Sequence, residues 1–396
     1  INASACGVIE TAAKSKKINK VLCGQNGILG ALNENLIDTS KESKSTIAKL
    51  KNTPGGAFGS CRFKLQDPIA QKKDYDRLFE VFAAHDIGYF FYNGGGDSQD
   101  TTYKISEMAK KLKFPIQCIG VPKTIDNDLP FTDCSPGFGS VAKYVATSTL
   151  EAGLDVKSMA ETSTKVFILE VMGRHAGWIA ASSCLAATKA GDPPHIILLP
   201  EVPFEKSKFI SQVKQMVKQN GYCVIVASEG AQTKNGRFLA DSGLTDAFGH
   251  KQLGGVAPVL ASMISKIGLK NHWAVADYLQ RSARHISSKT DLDQAYAVGA
   301  HAVKLALAGK TAIMPIIKRL SDSPYKWKIE TAPLKNVANV EKTMPKKFIS
   351  LSGFEITAAG KKYLSPLIQG EAPTKYVNGM PDVAVLKKIM IKKKIT

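Results

Sequence analysis

Five short apolar runs constrain this chain more than any other feature: IGYFFY (87–92), IQCIGV (116–121), KVFILEV (165–171), HIILLP (195–200) and YCVIVAS (222–228). Each has the length of a strand and is apolar on both faces, as strands buried in a parallel sheet are. The segments between them carry helical spacing. Within 98–112, Ile105, Met108, Ala109 and Leu112 fall at i, i+3, i+4 and i+7, on one helix face. Further helices are expected near 139–157, 176–188 and 205–219, with an Ala-rich one at 295–309. Such alternation predicts an α/β protein of doubly wound parallel sheets flanked by helices.

A chain of 396 residues is long for one compact unit, so two domains are expected. The composition, 44% hydrophobic and 22% charged, is that of a folded globular protein rather than a disordered one. No apolar run reaches the length of a membrane-spanning helix and no signal-peptide pattern opens the chain, so no membrane partner is expected. The seven cysteines lie singly without a CxxC pair. That argues against a zinc site or a disulfide framework, and for a reducing, cytoplasmic compartment. The chain opens at Ile1, without methionine and already inside a helix-like stretch, NASACGVIETAAKS, so a preceding segment is expected.

The net charge of +19 favours an anionic partner. Because the lysines are spread along the whole chain rather than gathered in one stripe with aromatics, small phosphorylated molecules fit better than specific nucleic-acid binding. The densest run, LKKIMIKKKIT at the C-terminus, reads as the solvated end of a helix.

In open α/β sheets ligands bind beyond the carboxyl ends of the strands. After IGYFFY comes NGGGDSQDT, where Gly94, Gly95 and Gly96 permit positive φ and close backbone approach, and a helix starting near Ser98 offers free N–H groups to an anion. Asp97 within that loop repels phosphate unless a divalent cation lies between them or a lysine offsets it. After IQCIGV comes PKTIDNDL. In an extended or turn backbone Asp126 and Asp128 project to one side, one as general base and the other as its orienter or metal partner, with Lys123 adding positive charge. After KVFILEV, Gly173 and Arg174 precede another helix start, and arginine suits a bidentate grip on phosphoryl oxygens. His175 reads as a structural histidine at that start. After YCVIVAS, Glu229 is placed to accept sugar hydroxyls or, more plainly, to pair with a lysine. Together these strand ends describe Mg²⁺-assisted transfer of a phosphoryl group to a hydroxyl.

The segments GGAFGSCRF (55–63), GGGDSQDT (94–101), PKTIDNDL (122–129), MGRHAGW (172–178), SEGAQ (228–232), FGHKQLGGV (248–256) and YLQRS (278–282) resemble the 6-phosphofructokinase family in order and spacing. The resemblance implies two similar α/β domains with the active site in the cleft between them. It assigns a donor and catalytic domain to 1–147 with a return segment near 282–345. A sugar-phosphate domain then takes 148–281 and the C-terminal part near 346–396. It makes Asp126 the base for the 1-hydroxyl of fructose 6-phosphate. Thr124, Ile125, Met172, Gly173, Arg174, Glu229, Tyr278 and Arg281 are implied to bind the sugar phosphate, and Arg62 and Lys123 to face the transferred group. Gly95, Gly96, Asp97 and Ser98 line the donor loop, and Asp97 takes the Mg²⁺.

ATP-using members typically carry glycines at the positions of Asp97 and Lys123, so this pair resembles the pyrophosphate-dependent branch. An aspartate and a lysine fill space that an α-phosphate and ribose would need, while a donor ending at two phosphates still fits. The phosphate leaving group implies a reversible reaction. The family's first glycine-rich phosphate loop would precede Ile1. Gly96 stands where ATP-type members keep a metal-linked aspartate, and Lys165 where many have an arginine reaching the neighbouring subunit's sugar phosphate. A second such arginine is replaced near His272, with Lys270 close by. A homodimer or homotetramer is implied. The alternatives are an ATP-dependent enzyme, a catalytically silent subunit of a hetero-oligomer, or a different sugar such as sedoheptulose 7-phosphate.

Overall fold

The computed structural model describes residues 1–241 and 255–395. Two short strands, β1 (Leu22–Gly24) and β2 (Leu36–Asp38), form an antiparallel ribbon near the start of the chain. β3 (Tyr89–Gly94) and β4 (Gln117–Pro122) follow, then β5 (Val166–Val171), β6 (Ile196–Leu198), β7 (Cys223–Ser228) and β8 (Asn271–Val275). The long hairpin β9 (Ile313–Asp322) and β10 (Tyr325–Pro333) comes last of the main strands.

These strands build two four-stranded sheets. The first runs β10–β9–β4–β3, parallel except for the β9–β10 pair, and the second runs β6–β7–β5–β8, parallel throughout. All five expected strands are present. β8 and the hairpin escape the apolar-run test because they alternate or carry charge: β8 reads NHWAV and β10 reads YKWKIETAP. β8 is an edge strand whose outer residues, Trp273 and Val275 among them, face out. Four consecutive residues of this edge strand are exposed, so it has no need of a continuous apolar run.

Helices Gly96–Leu112, Phe138–Met159 and Lys206–Asn220 lie where helical spacing places them. The expected helix at 176–188 is shorter, Trp178–Ser182, and tightens into a 3₁₀ turn over Ser183–Ala186. The Ala-rich helix starts earlier than its composition suggests: it spans Lys289–Leu307, with Ser288 accepting the N–H of Asp291 as its cap. One large core, containing Phe138, Val171, Trp178, Val226 and Val298, joins elements of both sheets, so strand ends from the two are held against one another.

The C-terminal lysine run departs from expectation. It is extended rather than helical: the Ile391 N–H donates to Leu36 O and the Asp38 N–H to Ile389 O, both at 2.9 Å, so the tail lies alongside β2. The buried carboxylate of Glu34 accepts the Lys394 N–H at 2.5 Å, the Ile395 N–H at 3.3 Å and His85 Nε2 at 2.6 Å. A two-stranded ribbon leaves an edge unpaired, and that edge is a better partner for the tail than water is.

Candidate active site

The strand ends converge as their sequences suggest, but by different local means than glycine freedom. None of Gly94, Gly95 or Gly96 has positive φ. Gly94 is required by close approach, since a Cβ there would stand 2.0 Å from Ser98 Oγ, whereas Gly96 faces open space. The helix Gly96–Leu112 begins with no side-chain cap, leaving its first amides to an anion. The Lys123 N–H donates to Gly94 O at 3.0 Å, carrying the β3–β4 pairing one step beyond the strands.

Past β4 the chain turns through Thr124–Asp128. Thr124 Oγ1 donates to Asp126 Oδ2 at 3.3 Å and accepts the Asp126 N–H at 3.2 Å. Burial raises the Asp126 carboxyl above its usual range; the Thr124 hydroxyl, Lys123, Arg281 and Arg174 oppose that rise. Burial, with Asp126 and Glu341 nearby, pushes Asp128 up to about 6. Asp128 Oδ1 is buried and has no hydrogen-bond partner. The Lys123 ammonium is lowered by burial and by Arg281, with Arg62 adding to the effect and Asp126 and Asp128 opposing it. These mutual influences gather Arg62, Lys123, Asp126, Asp128, Arg174 and Arg281 in one electrostatic cluster drawn from four separate loops.

Past β5, Gly173 has φ +131°, and a Cβ there would meet Ala176 O at 2.7 Å. Its N–H donates to Glu229 Oε1 at 3.4 Å, and its carbonyl accepts the Ser228 hydroxyl. Burial raises Glu229, with the Gly173 amide opposing. The Met172 N–H donates to Gln280 Oε1 at 3.3 Å, which ties the β5 loop to the helix Asp277–Ser282. In that helix Arg281 lies 4.9 Å from the ring centre of the exposed Tyr278. Arg174 Nε is buried without a hydrogen-bond partner. Ile125 packs beside the main core, against the turn at Gly137.

One expectation changes. Asp97 does not stand ready for a cation: its Oδ1 lies 2.6 Å from Lys64 Nζ, on a side chain 47% exposed. Of the two readings of that carboxylate, the offsetting lysine is the one realised. Lys165 sits at the opposite end of β5 from Met172, about 20 Å of strand away, and donates to Ala160 O and Glu161 O. It does not reach this chain's own site. Residues 248–254 of the FGHKQLGGV motif lie outside the described residues. His175 pairs with Glu341, Nδ1 to Oε1 at 3.0 Å, in keeping with a structural histidine.

Among the described residues no three His, Cys, Asp or Glu side chains are grouped to hold a metal. Mg²⁺ is commonly held by one or two carboxylates plus substrate phosphates rather than by an all-protein cage. Asp128, with its unpartnered oxygen beside Asp126, fits that pattern better than Asp97 does. Lys64, Glu341, Lys342 and Tyr363 border the site and were not singled out from the sequence. Lys64 stands two residues from Arg62 and was discoverable there; the other three come from far along the chain and carry no local signal.

The sequence pattern of the family described as Phosphofructokinase matches residues 1–306. A protein of Halomonas elongata named pyrophosphate–fructose 6-phosphate 1-phosphotransferase is 61% identical over 397 residues, spanning 100% of this chain and 95% of its own length. Its namesake from Methylococcus capsulatus is 57% identical, over 100% of this chain and 94% of its own. The crystal structure of a pyrophosphate-dependent phosphofructokinase from Marinobacter aquaeolei superposes with a TM-score of 0.92 at 59% identity, covering 100% of this chain and 95% of that one.

Proposed function

The chain belongs to the phosphofructokinase family, and on that premise we propose that it transfers a phosphoryl group from pyrophosphate to the 1-hydroxyl of fructose 6-phosphate, giving fructose 1,6-bisphosphate and phosphate. The observation that carries the mechanism is a buried Asp126 carboxylate, held by the Thr124 hydroxyl, within electrostatic reach of Lys123, Arg174 and Arg281. Asp126, oriented by Thr124, takes the hydroxyl proton as the oxygen attacks. Burial raises its affinity for a proton, which strengthens its ionised form as a base. Lys123, Arg62 and Arg174 face the charge that develops on the transferred group and on the departing phosphate.

Thr124, Ile125, Met172, Gly173, Arg174, Glu229, Tyr278 and Arg281 bind the sugar phosphate, with Glu229 accepting from its hydroxyls. Gly95, Gly96 and Ser98 cradle the donor at the helix start, and Asp97 with Lys123 closes the space a nucleotide would need. Asp128 would hold Mg²⁺, which when bound offsets charge on the donor phosphates. Because the leaving group is itself phosphate, the reaction runs in both directions, serving glycolysis and gluconeogenesis.

A homo-oligomer is part of this reading, a second copy resting on the exposed edge of β8, where Trp273, Val275, Tyr278 and Leu279 face outward. No helix among the described residues is long and apolar enough to cross a membrane, and a cytoplasmic location accords with seven free cysteines. The test is a turnover assay with Mg²⁺ and fructose 6-phosphate, supplying either pyrophosphate or ATP at equal concentration. Product with pyrophosphate alone is expected; product with ATP alone overturns the donor assignment, and product with neither overturns the reaction.

A further inference from the structure

Asn127, between the two aspartates, is fully buried, with φ +54°. Every polar group of its side chain is engaged. Oδ1 accepts the Ser135 N–H at 2.9 Å and Lys342 Nζ at 3.3 Å, and Nδ2 donates to the Tyr363 hydroxyl at 3.1 Å. That hydroxyl donates in turn to Asp133 O at 2.5 Å.

Lys342 is the common element. Its ammonium also donates to Thr132 O at 3.0 Å and Asp133 O at 3.1 Å, so its three N–H groups meet three acceptors. Its backbone N–H donates to Asp128 O at 2.6 Å, and its carbonyl accepts Trp178 Nε1 at 3.0 Å. One residue therefore grips the turn twice, through the side chain of Asn127 and through the backbone of Asp128. Its ammonium makes no ion pair within 4.0 Å among the described residues, and its three hydrogen-bond partners are neutral oxygens. A half-buried cation with only neutral acceptors is a poor choice for packing alone, since an apolar side chain of similar volume would cover the same surface without desolvating a charge.

We propose that Lys342 is a positioning residue for the phosphoryl transfer, holding Asn127 and the Asp128 backbone so that the carboxylates of Asp126 and Asp128 keep a common direction into the cleft. This rests on Asp126 being the base. Small displacements of a general base cost rate far more than they cost substrate binding, so the role separates kcat from KM.

Lys342→Met keeps the stem and removes the three donors; Asn127→Ala removes the acceptor. Each is expected to lower kcat by about 10–100-fold with KM for fructose 6-phosphate and pyrophosphate within about threefold. The double variant is expected to be little worse than either single one. If Lys342→Met does not fold, Lys342→Gln, which keeps a shorter donor, is measured for the same constants. A kcat within twofold of the parent in the folded variant overturns the proposal, as do additive losses in the double variant. Asp126→Ser is run alongside. If it retains parental kcat, the base assignment fails; if it is inactive while Lys342 variants turn over normally, only the positioning role fails.

Discussion

Lys64 Nζ lies 2.6 Å from Asp97 Oδ1, at the mouth of the donor loop. The pair joins the first turn of the helix Gly96–Leu112 to a segment that no local spacing connects with it, and it engages the aspartate in an ion pair. On the proposed donor assignment, Asp97 and Lys123 put charged side chains where a nucleotide would need open backbone. Removing both, in Asp97→Gly with Lys123→Gly, is expected to open that space and permit ATP to bind. Isothermal titration is the measurement, and no detectable ATP binding would count against these two residues as the donor gate.

Replacing Asp126 by serine is expected to cut kcat by about 10²–10⁴-fold, the usual worth of a general base, while leaving fructose 6-phosphate binding close to that of the parent. Steady-state rates and equilibrium binding of the sugar phosphate separate the two effects. Weakened binding with little change in kcat would assign Asp126 to substrate capture instead.

Asp128 gives a prediction with a definite sign. Its carboxyl is pushed up from 3.8 to about 6 by burial and by its acidic neighbours. The folded state therefore favours the proton, and the ligand-free protein loses stability as pH rises through about 6. Asp128→Asn removes that penalty. The variant is expected to gain roughly 1–3 kcal/mol over the parent near pH 8 and to match it near pH 4, while turning over more slowly. Denaturant melts at the two pH values decide it; an equal difference at both would mean that the carboxyl's charge is not what costs stability.

Glu34→Ala removes the acceptor for His85 and for the amides of Lys394 and Ile395 at once. Leaving buried donors unpaired typically costs about 1–3 kcal/mol, so the melting temperature is expected to fall. Hydrogen exchange is expected to speed up first at residues 389–395, the part of the tail that lies along β2. Uniform acceleration across the sheets instead would mean that the tail is not held locally by this carboxylate.

Much of the fold is legible in the sequence. The five apolar strands, the helix between the first two and the residues following each strand are read from local period and composition, because a parallel strand buried on both faces writes its environment directly into its sequence. Asp126, Lys123, Gly173 and Arg174 were found the same way, since parallel strands deliver their carboxyl ends to one side of a sheet. β8 and β10 carry no such signal because strands largely open to solvent need not be continuously apolar.

What tertiary structure alone decided are the partnerships across long chain separations. Lys342 sits 215 residues from Asn127, Lys394 lies 360 from Glu34, and neither contact leaves a trace in either neighbourhood. Asp97 could be read as a metal ligand or as one half of an ion pair, and only the fold brought Lys64 to it. The sequence by itself determined which residues arrive at the strand ends, because strand burial and helix period are properties of short stretches. Which of them become base, wall or anchor depends on the distances between stretches, and those are set only when the core closes.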